Sequence, residues 1–263
     1  MKNLNKFMLP VAALFIGFAS CTPEETPEPD VPTTTTPTAP APPQPTIAGV
    51  HGAMIALDLD FSFTQMGVSV PLNTEMGIAA FYANVGDAAM VDAGTVKINN
   101  IALTKNANNS YSITAGIPTQ EPSTLSLDGN INWNVTGSSN VQTSNYNIIA
   151  TVYPFPNYTP VVPTDITRAN GLSLSFTSGT TTGADSVYVM IISGSTSLLK
   201  AYSATAGNVM ISAADLNTLA VSSSTSPAYI EIVPWRVLGY QTLMGKTYAY
   251  VNEKAIVRSI NLN

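Results

Sequence analysis

The sequence predicts an all-β chain whose folded part is two β-sandwich domains, and three observations predict it. Apolar and polar residues alternate at period two along several short runs, and Asn, Asp and Gly pairs with turn chemistry separate those runs. Hydrophobic residues make up 45% of the chain against 10% charged, which is ample for packed cores and excludes disorder for the body of the chain.

The first element is not part of that body. Lys2 and Lys6 form a basic start, Phe7 to Phe18 is apolar apart from Pro10 and Gly17, and Phe18-Ala19-Ser20-Cys21 closes the run. The stretch is short for a bilayer span and its downstream flank is acidic, so residues 1–20 read as a signal peptide that is removed. Small residues before a cysteine suit a peptidase that must admit a narrow backbone beside a diacylated thiol. The segment resembles a bacterial lipobox, with Phe18 where Leu is usual, and the resemblance implies that Cys21 is lipidated with palmitate-type chains. Cys21 is the only cysteine, so no intramolecular disulfide can form. Acyl chains contribute about 0.8 kcal/mol per buried CH₂, and two or three of them give lasting attachment to a membrane.

Residues 21–46 follow as a Pro/Thr-rich stalk, with Glu24, Glu25, Glu28 and Asp30 near its start. With few apolar side chains to bury and many prolines, it is expected to stay extended and solvated, reaching on the order of 70 Å at about 3.1 Å per residue. Glu24 and Glu25, close behind the cysteine, resemble the acidic export signal of Bacteroidota surface lipoproteins. That resemblance implies an outer-membrane, cell-surface location, while acidic residues also suit any solvated stalk.

Two domains are expected beyond the stalk, 47–158 and 159–263, divided where Pro154, Pro156, Pro160 and Pro163 punctuate the chain. In the first, Leu57, Leu59, Phe61 and Phe63 alternate with Asp58, Asp60 and Ser62, and Ile131, Trp133 and Val135 alternate with Asn132 and Asn134. In the second, Leu172-Ser173-Leu174-Ser175-Phe176 alternates again, and Val187 to Ile192, apolar on both faces, is expected to be a central strand. Asn99-Asn100, Asp128-Gly129 and Asn170-Gly171 supply turns, and Ser212-Ala213-Ala214-Asp215 predicts a short capped helix with Leu216 and Leu219 inward. The pattern of strands in the second half resembles an immunoglobulin or fibronectin type III module, which implies fold and not activity.

The search for chemistry is mostly negative. His51 is the only histidine, no Gly-x-Ser-x-Gly elbow accompanies it, and neither the usual zinc ligand sets nor a phosphate-binding glycine loop can be built. The net charge of −6, with scattered basic residues, argues against nucleic acid as a partner. Asp58 and Asp60, at i and i+2 on one strand face, are candidate calcium ligands with Glu75, Asp87 or Asp92 completing the shell; polar alternation alone also puts them toward water. Asp128-Gly129-Asn130-Ile131-Asn132 lacks the sixth-position glycine and distal acid of a calcium loop and reads as a turn. Trp133, Tyr146, Tyr153, Phe155, Tyr158, Trp235 and Tyr240 offer rings for sugar stacking, with Trp133, Tyr153 and Tyr158 the candidate contacts; core filling is the alternative. Asp185-Ser186-Val187 resembles the Bacteroidota O-glycosylation acceptor and equally suits a strand start.

No catalytic residue is assigned and no cofactor beyond calcium is expected. The reading is a non-enzymatic binding or structural module that meets the membrane through its N-terminal lipid and contacts a glycan or an envelope protein. The alternative is a carboxylate-dependent glycan hydrolase or its accessory subunit. It requires two of Asp58, Asp60, Glu75, Asp87, Asp92 and Glu231 to converge in a pocket with raised pKa values.

Overall fold

The computed structural model describes Pro45 and residues 47–65, 68–115, 124–149, 161–175 and 183–263. The expected signal peptide, Cys21, the stalk apart from Pro45, the 158/159 boundary, and Tyr153, Phe155, Tyr158 and Phe176 lie outside those residues. Nearly all regular structure in them is strand, so the chain is all-β.

The strands are β1 (Gly52–Gln65), β2 (Val68–Phe81), β3 (Val96–Ile98), β4 (Ile101–Ala102), β5 (Thr104–Lys105), β6 (Tyr111–Ala115), β7 (Ile131–Val135) and β8 (Ser144–Ile148). The second half adds β9 (Asp165–Ile166), β10 (Leu172–Ser175), β11 (Ser186–Ser193), β12 (Thr196–Ser203), β13 (Asn208–Ile211), the helix α1 (Ala213–Leu216), β14 (Ala228–Leu243) and β15 (Lys246–Leu262). A large sheet runs in the order β12, β11, β14, β15, β1, β2, β6, β5, with β9 beside the end of β15. Two small sheets complete the described structure: β4, β3, β7, β8, and the pair β10, β13.

Both halves of the chain build the large sheet. β1 lies parallel to β15, Gly52 opposite Tyr248 through Ser62 opposite Arg258, and antiparallel to β2 along its whole length. At about 3.3 Å per residue, β14 and β15 each extend some 50 to 55 Å, long enough to carry a core at either end of one face.

At one end Met54, Ala56, Ala79, Phe81, Tyr248 and Tyr250 pack beneath Val96, Ile98, Ile131, Trp133, Val135 and Ile148 of the four-stranded sheet. At the other end Val187, Val189, Ile191, Ile230, Ile232, Ile256 and Ile260 pack beneath Leu172, Leu174, Val209 and Ile211 of the small pair and Leu216 and Leu219 of the helical turn. Each end is therefore a two-layer sandwich, and the large sheet is common to both.

Local signals act as the sequence predicts at several points. β7 spans Ile131–Val135 with alternate residues buried. Asn99 and Asn100 both take left-handed φ values, 46° and 67°, in the turn from β3 to β4, a conformation asparagine tolerates better than other residues with a Cβ. The α1 cap forms as expected: Ser212 Oγ accepts from the Asp215 amide at 3.1 Å and donates to Asp215 Oδ2 at 2.8 Å. Leu216 and Leu219 are buried beneath it.

The Val187 to Ile192 run departs from expectation. It lies one strand in from the end of the sheet, between β12 and β14, with Val187, Val189 and Ile191 buried and Tyr188, Met190 and Ile192 half-buried. Its second apolar face thus lies on the side away from the small sheets.

Between the two cores the shared face turns polar. Asp58 pairs with Lys254 at 3.2 Å, and Asp60 takes a two-pronged contact from Arg258, Nη1 to Oδ1 at 3.0 Å and Nη2 to Oδ2 at 2.9 Å. The parallel β1/β15 register sets Lys254 directly beside Asp58, and Arg258 two residues beyond the partner of Asp60.

Candidate functional site: carboxylates on two faces of one sheet

The odd-numbered residues of β1, β14 and β15 form the opposite face of the large sheet. Leu57, Leu59, Phe61, Tyr229, Val233, Ala255 and Val257 make a third apolar cluster there, with Met76, Ile78 and Tyr188 at its margin. Two acids sit in the same rows. Glu231, between Tyr229 and Val233, lies opposite Val257, and Glu253 lies opposite Trp235 and beside Leu57.

Both glutamates have 0% exposure, and among the described residues none of their four carboxyl oxygens has a hydrogen-bond partner. Trp235 Nε1, in the same register row, is buried and unpartnered as well. Removing a carboxylate from water without a compensating bond is costly, so the neutral acid wins. Burial pushes Glu231 up to about 8, and Glu253 is raised well above the usual carboxylate range by burial and then by the neighbouring Glu231. Both acids therefore hold their protons at neutral pH.

The other candidate acids are engaged in internal bonds. Glu75 accepts four bonds from a single segment: Thr124 Oγ1 at 2.6 Å and the amides of Leu125, Ser126 and Leu127 at 2.6, 3.1 and 2.8 Å. Asp87 caps the turn at Asn84, accepting from its amide at 2.9 Å. Asp92 accepts from Lys105, Tyr111 and the Gly94 amide, which hold its carboxyl well below the usual range. Asp58 and Asp60 face the cations already described, and Asp185 accepts from the Val237 amide. Among the described residues, no group of three or more His, Cys, Asp or Glu side chains is arranged to hold a metal ion.

The candidate aromatics divide by layer. Trp133 is fully enclosed between the sheets and offers no surface to a sugar, so its role is core filling. Tyr146 of β8 stacks on Tyr250 of β15 with centroids 3.8 Å apart and planes at 9°. That stack explains Gly239 at the β14 bulge: a Cβ there would come 2.1 Å from the Tyr146 hydroxyl. Trp235 tilts against Tyr188 at 5.8 Å, and Tyr240 is exposed.

Two further sequence candidates are engaged internally. Ser186 is half-buried and donates to the Tyr202 carbonyl at 2.8 Å, which fits the strand start. His51, at the entry to β1, accepts the Thr247 amide on Nδ1 at 3.1 Å.

A shallow hollow of about 430 Å³ opens at the far end of β15. Asp165, Ser222, Ser223, Ser224, Asn261 and Asn263 give it a polar lining. Asp165, the one acidic side chain among its described lining residues, is bonded by Asn261 and Thr164, which lower its pKa.

Glu253 was the residue missed by sequence reasoning. Asn252-Glu253-Lys254 has the polarity of a wet strand, and Glu253 is buried where β1 and β14 set Leu57 and Trp235 on either side of it. Glu231 did carry a signal, because it is the only acid within Tyr229-Ile230-Glu231-Ile232-Val233. No protein-family model, no curated protein and no solved structure matches the chain.

Proposed function

We propose that the chain is a lipid-anchored envelope protein of the Bacteroidota surface type, whose shared β-sheet is a non-enzymatic binding or structural platform held away from the membrane by the stalk. The observation that carries the non-enzymatic reading is the division of the carboxylates. The candidates on accessible surfaces, Asp58, Asp60, Glu75, Asp87 and Asp92, are spent on internal bonds, and the two acids with raised pKa values are closed to solvent within an apolar face. A glycosidase acid must reach the glycosidic oxygen, and its partner must reach the ring.

The anchor is tested by metabolic labelling with an alkyne fatty acid. Label on the wild-type chain and none on Cys21→Ser supports it; an unlabelled wild-type chain overturns it. For the platform, a glycan array and an envelope pull-down with the full chain separate a sugar ligand from a protein partner.

The hydrolase alternative draws on Glu231 and Glu253, two acids that keep their protons at neutral pH. It requires hydrolysis of a glycan by the wild-type chain and its loss in both Glu231→Gln and Glu253→Gln.

A further inference from the structure

The two ends of the large sheet are finished differently. At one end β5 is only two residues long, and its Lys105 is ion-paired to Asp92 at 2.8 Å. Short, charged edges of this kind resist the addition of further strands. At the other end β12 runs eight residues from Thr196 to Ser203, in unbroken register with β11 and without a proline or a bulge.

The backbone on its outer side is open. β11 and β12 are joined by the two residues Gly194 and Ser195, with Ser193 opposite Thr196. In a two-residue hairpin the closing pair exchanges both backbone bonds, and the pattern then alternates. Thr196, Leu198, Lys200 and Tyr202 therefore bond to β11, and the N–H and C=O groups of Ser197, Leu199 and Ala201 point away from the sheet. Among the described residues, nothing pairs with β12 on that side.

The side chains suit a like partner. Ser197, Leu199 and Ala201 are exposed, Leu199 at 44%, and none is charged. The one charge on the strand, Lys200, is directed to the other face, where Asp215 neutralises it at 2.8 Å. Although the chain carries a net charge of −6, this edge has no unpaired charge to repel its own copy.

We propose that β12 is a self-association edge, pairing antiparallel with β12 of a second copy about a two-fold axis through Leu199, so that the two large sheets become one. Antiparallel pairing about that point places Leu199 against Leu199 and Ser197 against Ala201 of the second copy. It satisfies the outward backbone groups of three residues on each copy. The contact is isologous, so it closes at two copies.

The test uses the full chain with Cys21→Ser, purified in detergent, which leaves no other thiol. Leu199→Cys in this background is treated with a short bis-maleimide, with Met210→Cys, exposed on β13, as the control. Directly opposed strand residues sit about 5 Å apart at Cβ, so Leu199→Cys is expected to give a cross-linked dimer and Met210→Cys none.

Register is read separately in the same Cys21→Ser chain. Leu199→Lys alone and Leu199→Glu alone are expected to lose the dimer by sedimentation, and an equal mixture of the two to recover it. Far-UV dichroism checks that each variant stays folded. A monomeric Cys21→Ser chain, equal cross-linking at Met210→Cys, or a dimer indifferent to both charge variants overturns the proposal. So does cross-linking of Leu199→Cys in whole envelopes to a different protein alone, which would give the edge to that partner.

Discussion

The two faces of β1, β14 and β15 treat their acids in opposite ways. On the polar strip, Asp58 and Asp60 meet Lys254 and Arg258 at 3.2 and 2.9 Å and stay partly in water. One strand width away, on the other face, Glu231 and Glu253 meet Leu57, Tyr229, Val233 and Val257 and no hydrogen-bond donor. The difference teaches that side-chain parity decides whether an acid meets a cation or only apolar neighbours. A one-residue change of register would exchange the two environments, because successive side chains of a strand alternate between faces.

The sharpest way to break this comparison is to change pH. Each buried glutamate binds its proton more tightly folded than unfolded, so between the unfolded value near 4.5 and the folded value of about 8 for Glu231 the folded state holds the extra proton. Stability from these groups is therefore full at low pH and declines as pH rises through that window, at no more than about 1.4 kcal/mol per pH unit for each group. Urea melts from pH 5 to 9 are expected to show the decline, and the Glu231→Gln, Glu253→Gln double variant to flatten it. A melt whose midpoint is constant or rises across that range would contradict the assignment of buried, neutral acids.

Next in size is Glu75, the opposite case: a carboxyl group surrounded by donors. Glu75→Ala strands the amides of Leu125, Ser126 and Leu127, and a loss of about 2 to 3 kcal/mol is expected in chemical denaturation, with Glu75→Gln losing less. Gly239→Ala should cost about 1 to 3 kcal/mol, because the new methyl must displace the Tyr146 ring from Tyr250. Near-ultraviolet dichroism of the stacked tyrosines checks it. Smallest is Asp60→Asn, where an exposed pair contributes under about 1 kcal/mol, and added salt should shrink the effect further.

Much of the local structure was legible in the sequence, because it is set by neighbours a few residues apart. The alternation of Leu57 to Phe61 and of Ile131 to Val135, the asparagine turn at 99 and 100, and the Ser212 cap all belong to that class. Pairings across the chain were not legible. Nothing within β1 says that its partner is β15, so the expected split into 47–158 and 159–263 gave no hint of a sheet contributed by both parts. The site shared that limit. Asp58 and Asp60 were correctly set on one face, but Lys254 and Arg258 come from about 200 residues away. Trp133 illustrates the remaining ambiguity, since a core ring and a surface ring have the same alternation until a second layer covers one of them.

The parallel seam between β1 and β15 has a consequence for biosynthesis. A ribosome making about 5 to 20 residues per second delivers β15 some ten seconds or more after β1. Through that interval Leu57, Leu59 and Phe61 lack their neighbours on one side, and the sheet cannot close by local zippering. The body must therefore assemble late, after its last long hairpin has emerged, and a nascent chain stopped short of Lys246 leaves β1 paired with β2 alone, its other edge open and aggregation-prone.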